Sequence, residues 1–213
     1  MSLTTYHRRF PGSVRWRCVP AGVDIEGDGV QRTPGQPLTV RRIWQTFRVE
    51  LARWSTLYGI PVELLIATAA TESGGDARAR RNEPGWTGDE TTPHRVSIGL
   101  MQTLISTARA ATGVSWTARE LFEPNVSILA GGAYIRQQYE ATGFDPPLVA
   151  AAYNAGVIAE QRGAGNRWKL RQYKLGTGEH LDRFVQWFGD AVALKIEAPC
   201  VWRTWLAQGG RLG

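Results

Sequence analysis

Hydrophobic positions along this chain repeat with a helical rather than a strand period. Val40, Ile43, Trp44, Phe47, Leu51, Trp54 and Tyr58 fall mostly three or four apart, so a single stripe runs along a helix starting near Thr39, a residue suited to an N-cap. Gly59-Ile60-Pro61 then opens a second helix, because proline fits a first turn where a missing N–H costs nothing. From Val62 to Thr71 that helix is apolar almost throughout, with Glu63 as its one charge. Gly74-Gly75 closes it, since glycine takes the left-handed conformation that ends helices. Leu104 to Thr112 reads as a third helix. Asn125 to Glu140 is a fourth, with Val126, Leu129, Ala130, Ala133, Tyr134 and Gln137 on one face. Pro146-Pro147 starts another that runs to Gly156, and Glu179 to Glu197 places Leu181, Phe184, Val185, Phe188, Ala191 and Val192 on one face. No alternating strand pattern stands out after residue 38. The expected class is mainly α.

Two stretches break the period. Residues 1–38 are rich in Gly, Pro and Arg, with short apolar pieces at Val14, Trp16, Val19, Val23 and Ile25. They predict an irregular extension, with a short strand or hairpin, packed on a main domain over residues 39–198 and followed by a tail over 199–213. Residues 74–98 read as a long loop in which Gly, Pro, Asp and Asn recur, and such loops inside a compact domain usually serve a function. Trp86 within it suits either stacking on a flat ligand or pinning the loop to the body.

Composition narrows the class. At 213 residues, 43% hydrophobic and 21% charged, the chain fits one soluble domain, and no run reaches the roughly 18 apolar residues of a membrane span. Met1 to Arg17 lacks the apolar core of a signal peptide and carries Arg8, Arg9, Arg15 and Arg17, so synthesis in the cytoplasm without a leader is expected. The net charge of +6 recurs in a second basic stretch, Arg162, Arg167, Lys169, Arg171 and Lys174. That suits contact with an anionic polymer or envelope surface; with no zinc-finger, helix-turn-helix or RNA-binding motif, nucleic acid is not an expected partner. Cys18 and Cys200 are expected as free buried thiols, a bond between them requiring an oxidising compartment. His7, His94 and His180 are scattered, no Cys/His spacing marks a metal site, and no cofactor is implied.

One charge is out of place. Leu65, Ala69 and Glu72 share a helix face, so the face that enters the core ends in a carboxylate. Burial disfavours the charged form and raises the pKa, as a general acid near neutrality requires. Two later segments also present polar side chains from apolar, glycine-flanked surroundings: Ile98-Gly99-Leu100-Met101-Gln102 and Ala151-Ala152-Tyr153-Asn154-Ala155-Gly156. Apolar walls with a few placed polar groups are how a binding cleft is built.

In this order, Glu72-Ser73, Gly99-Leu100-Met101-Gln102 and Ala151-Ala152-Tyr153-Asn154-Ala155-Gly156 resemble the marks of the soluble lytic transglycosylases and the related goose-type lysozymes. The likeness covers roughly residues 40–197, counting Phe184-Val185 in the last long helix. It implies a lysozyme-like helical domain with a saccharide-binding cleft, acting on peptidoglycan glycan strands as a monomer. It assigns Glu72 the acid/base role, and gives Ser73, Met101, Gln102, Tyr153 and Asn154 to the sugar site, Met101 as its floor. Read by themselves, Met101 and Tyr153 also suit a core and Asn154 a helix C-cap.

Most glycosidases need two carboxylates, about 5–5.5 Å apart when retaining and about 6.5–9.5 Å when inverting. The resemblance implies that one suffices here, with the substrate's N-acetyl group assisting and a 1,6-anhydro end as product. The connection from Glu72 to Gly99 is longer than is usual in the resembled family, however, and holds Asp76, Glu83, Asp89 and Glu90. A carboxylate from this loop would instead orient water and make a hydrolysing muramidase. A third alternative is an inactive wall-binding or virion module. The expected setting is a phage or prophage lysin acting on the cell wall, against a bacterial secretion-apparatus enzyme.

Overall fold

The apolar run after Pro61 becomes the centre of the molecule. In this computed structural model, which describes residues 2–210, three short antiparallel strands come first: β1 (Trp16–Val19), β2 (Gly22–Ile25) and β3 (Gly29–Val30). The helices α1 (Leu38–Tyr58) and α2 (Val62–Ser73) follow. A second antiparallel sheet is formed by β4 (Arg80–Asn82), β5 (Val96–Ile98) and β6 (Thr103–Leu104). The elements that follow are helices: α3 (Ile105–Thr112), α4 (Ala118–Leu121), α5 (Pro124–Gln137), α6 (Tyr139–Thr142), α7 (Pro146–Ala155), α8 (Glu179–Ala193) and α9 (Trp202–Ala207). The chain is mainly α, as its hydrophobic period predicts. Among the described residues no helix is long and apolar enough to cross a membrane.

α2 is apolar all round, and a helix of that kind has to be enclosed. It packs against α8 and α1, and every residue from Val62 to Thr71 is buried. Leu64, Leu65 and Ile66 are fully enclosed, each contributing about 2 kcal/mol of hydrophobic stabilisation. Gly74 (φ 63°) ends the helix and donates its N–H back to the Ala70 carbonyl.

Several boundaries differ from expectation. Thr39 is not a cap: the first turn of α1 already closes from Arg41 N–H onto the Pro37 carbonyl. The fourth helix is split, α5 ending at Gln137 and α6 turning only to Thr142. The last long helix stops at Ala193, not Glu197. The expectation of no strand beyond residue 38 is corrected by β4, β5 and β6, which are two or three residues long, too short for any alternation to register. The 74–98 stretch is thus partly ordered as a sheet, with a 3₁₀ turn at Pro93–Arg95. Val96 and Ile98 anchor it in a small apolar cluster with Ile105, Ala108, Leu121 and Ala130. Trp86 stays exposed, its indole N–H on Asp89 and its ring under Arg80.

The first sheet and the last helix both pack on this body. Trp16, Val23 and Ile25 of the first sheet are fully buried, and β2 lies on α8. Buried Asp145, just before α7, accepts from the Trp16 indole at 3.0 Å and meets His7 Nε2 at 2.8 Å. At the other end, the Trp202 N–H of α9 donates to the buried Glu63 carboxyl at 2.8 Å. Both cysteines are free; Cys18 is buried and Cys200 half-buried.

Candidate active site

Glu72 lies in the last turn of α2, the first place along that enclosed helix where a side chain reaches open space. Its side chain keeps 17% of its surface exposed and borders a cleft of about 670 Å³. Gln102, Tyr153 and Asn154 line the same cleft, so four of the six residues singled out in the sequence meet there. A second depression of about 620 Å³, beside Trp44 and Lys195, has only exposed charges on its walls and no buried titratable group.

Each wall is held from behind. Gly99 (φ 75°) turns the chain between β5 and β6 so closely that a Cβ there would lie 2.2 Å from the Leu121 carbonyl oxygen. Gln102 follows in a left-handed conformation (φ 47°) uncommon for a residue with a side chain. Both of its N–H donors are engaged, Nε2 donating to the Ala79 and Gly99 carbonyls at 2.8 and 2.9 Å, while Oε1 accepts from the Ser97 hydroxyl at 3.0 Å and keeps a second lone pair. Tyr153, at the end of α7, donates its hydroxyl to the Met101 carbonyl at 2.8 Å and touches Thr103 Oγ1 at 3.0 Å. Asn154 Oδ1 accepts the Tyr173 N–H at 2.6 Å, and its Nδ2 faces His180 Nδ1 at 3.5 Å.

Ser73 and Met101 are placed behind the cleft wall rather than on it. The Ser73 hydroxyl is shared between the Ala69 and Leu100 carbonyls, at 3.0 and 2.7 Å, and so ties the end of α2 to the Gly99–Gln102 turn. Met101 is fully buried and packs against Gly131, where an added Cβ would come within 2.8 Å of its own Cβ. These two residues set the spacing of the walls; the other four form the surface.

Burial sets the chemistry. It raises the Glu72 pKa to about 7, with Arg183 and Arg81 pulling weakly the other way. Burial also lowers the His180 pKa to about 4, with Arg183 adding to the effect. His180 Nε2 lies 3.6 Å from Glu72 Oε1, yet the imidazole is driven to its neutral form and the carboxyl toward its own, so near neutrality this contact is not an ion pair. Burial, with the nearby Glu72 charge, pushes the Tyr153 phenol far above its usual range, Thr103 opposing, so it stays a neutral hydrogen-bonding group.

Two of the three histidines, expected to be scattered, come to this cleft, while His7 stays apart on Asp145. His180 touches Glu72, and His94 lines the same cleft. A signal for His180 was available: it precedes Phe184 and Phe188 by four and eight positions, which puts it on the buried face of α8. Of the four loop carboxylates, only Glu83 lines the cleft, where its Oε1 meets Arg81 at 2.9 Å. Asp89 is held by both terminal nitrogens of Arg80, and Glu90 by Arg109. Asp76 Oδ1 accepts the Arg78 N–H at the surface.

Comparison with known proteins gives a family and a fold. Residues 51–177 match the family described as "Transglycosylase SLT domain". Among solved structures, an inactive mutant of lytic transglycosylase Slt from Pseudomonas aeruginosa aligns at 22% identity with a TM-score of 0.52, over 73% of this chain and 25% of that one. A 70-kDa soluble lytic transglycosylase in complex with bulgecin A aligns at 18% identity with a TM-score of 0.53, over 78% of this chain and 27% of that one. At these identities the likeness is one of fold, and the chain spans about a quarter of the length of each. A search of curated proteins finds no match.

Proposed function

This chain belongs to the transglycosylase SLT domain family, and we propose that it is a lytic transglycosylase that cuts the β-1,4 bond between N-acetylmuramic acid and N-acetylglucosamine in peptidoglycan. The observation that carries the reading is Glu72: a buried carboxyl, its pKa raised by burial to about 7, at the edge of a cleft large enough for sugar rings. Glu72 gives its proton to the glycosidic oxygen as the bond breaks, with the muramic N-acetyl group assisting at C1. The resulting carboxylate then takes the proton of the muramic C6 hydroxyl as that oxygen attacks C1. A 1,6-anhydro end forms, and Glu72 regains its proton. Gln102, Tyr153 and Asn154 hold the sugar and its N-acetyl group, while Ser73 and Met101 keep the walls in register. The protein works as a monomer at the cell wall, as a phage-type lysin whose basic surface favours an anionic envelope.

One observation favours a second reading. Glu83 is a cleft-lining carboxylate, and such a group can orient water for hydrolysis. Its pairing with Arg81 argues for the first reading. Clearing of a peptidoglycan suspension by wild type and by Glu72→Gln tests the acid/base: equal clearing by both overturns the assignment. Mass spectrometry of the released muropeptides decides the product, since an anhydro end is lighter by one water than a reducing end. Reducing ends that vanish in Glu83→Gln would establish hydrolysis instead.

A further inference from the structure

Glu72 has a neighbour with a polar atom that nothing else engages. His180, in the first turn of α8, is 5% exposed, and its Nε2 is buried with no hydrogen-bond partner among the described residues. That atom faces Glu72 Oε1 at 3.6 Å, just beyond hydrogen-bond distance. A buried polar nitrogen left unpaired is costly, so it points to a partner that closes on it during the work of the site.

The rest of the ring fixes which nitrogen carries the proton. The Tyr173 backbone N–H donates to Asn154 Oδ1 at 2.6 Å, which turns Asn154 Nδ2 toward His180 Nδ1 at 3.5 Å. An amide nitrogen only donates, so Nδ1 accepts, and the single proton of the neutral ring sits on Nε2. We propose that His180 is a positioning residue for Glu72, its Nε2–H directed at Oε1 by the chain Tyr173 N–H, Asn154, His180. While Glu72 is protonated, a donor at Oε1 leaves Oε2 as the oxygen that carries the acid proton. After that proton has gone to the leaving oxygen, the same N–H meets a full carboxylate, and the contact strengthens as charge-assisted hydrogen bonds do. The contact is therefore tighter late in proton transfer than at its start, the condition for lowering a barrier.

This inference rests on Glu72 as the acid/base. Other groups also act on the carboxyl: Arg183 from α8, Arg81 from β4 and Tyr153 from α7, with Tyr134 from α5, Glu83, His94, Arg95 and Lys174 around the cleft. All of them remain when His180 is changed, and the pair His180→Phe and His180→Gln separates the loss of the Nε2–H from a change in burial. The experiment measures kcat and KM on soluble glycan strands across pH for wild type, His180→Phe, His180→Gln and Glu72→Gln. His180→Phe should lower kcat roughly ten- to a hundredfold, with KM changed by no more than about twofold. The alkaline limb of its kcat profile should move to higher pH, because the donor that favours the Glu72 carboxylate is gone. His180→Gln, which keeps an N–H donor, should recover much of the rate and return the limb toward wild type. An unmoved limb in His180→Phe, with or without a loss of rate, overturns the inference while leaving an inactive Glu72→Gln to support the acid/base. An active Glu72→Gln overturns the acid/base reading itself. Nitrogen NMR of the His180 side chain in the folded wild-type protein gives a test independent of any variant. A proton on Nε2 alone near neutral pH is expected, and one on Nδ1 overturns the inference.

Discussion

Replacing Glu72 by glutamine should stabilise the protein, and by an amount that depends on pH. Burial moves the Glu72 carboxyl from 4.5 to about 7 in the folded state. The folded state thus holds a proton that the unfolded chain has already released, so stability falls as pH rises from the unfolded pKa to the folded one. At about 1.4 kcal/mol per pH unit, the penalty reaches about 3 kcal/mol at about pH 8 and is close to zero at about pH 4. Glutamine has nearly the same shape and never ionises. Glu72→Gln should therefore exceed wild type by about 3 kcal/mol at about pH 8, which in a chain of this size is roughly 6–12 °C in melting temperature. At about pH 4 the two proteins should melt together. Glu63 also has its pKa raised to about 7, chiefly by burial, but it titrates in both proteins and cancels in the difference. Thermal melts of the pair at both pH values provide the assay. A difference that does not change with pH, or a Glu72→Gln protein less stable than wild type at the higher pH, would refute the reasoning.

Other consequences can be measured on stability or on clearing rate. Asp145→Ala removes the acceptor shared by the Trp16 indole and His7, stranding buried donors, and should cost about 3–5 kcal/mol in urea unfolding. The Asp145 hydrogen bond and charge outweigh burial and raise the His7 pKa. The stabilisation from His7 is thus full below its unfolded pKa and lost as pH rises through the folded one, so His7→Phe should flatten the fall in stability on the alkaline side of that window. Gly99→Ala forces a Cβ against the Leu121 carbonyl in a left-handed conformation and should cost about 2–4 kcal/mol, with clearing activity falling as the Gln102 turn shifts. Ser73→Ala should lose about 1 kcal/mol of stability, with a larger proportional loss of clearing because α2 is untied from the Leu100 carbonyl; an unchanged rate would remove Ser73 from any part in wall spacing.

The helices that carry the site were legible because their signals are strong and local. An apolar run bracketed by Pro61 and Gly74 admits little besides α2, and the run from Pro146 to Gly156 is α7 to within a residue. The polar residues that ride on those ends, Glu72, Tyr153 and Asn154, were therefore placed with them. The second sheet was not legible, since β6 has only two residues and β5 is buried throughout, leaving no alternation to read. The contact of His180 with Glu72 depends on how α8 crosses α2, which is a matter of tertiary packing that sequence spacing does not encode. The loop carboxylates were undecidable for the same reason: which of them an arginine captures depends on where Arg80 and Arg109 come to lie after folding.

Asp145 has a consequence for how the molecule can be divided. The family match spans residues 51–177, but a protein cut to those limits would keep Asp145 and lose Trp16 and His7, its donors. It would also keep the buried α2 and lose the whole of α8, one of the helices packed over it. The matched stretch therefore leaves out elements that close its own core. A fusion or transplant of this domain has to take along the strands before it and the helices after it, because the residues that bear the chemistry are braced by parts of the chain that lie outside the matched stretch.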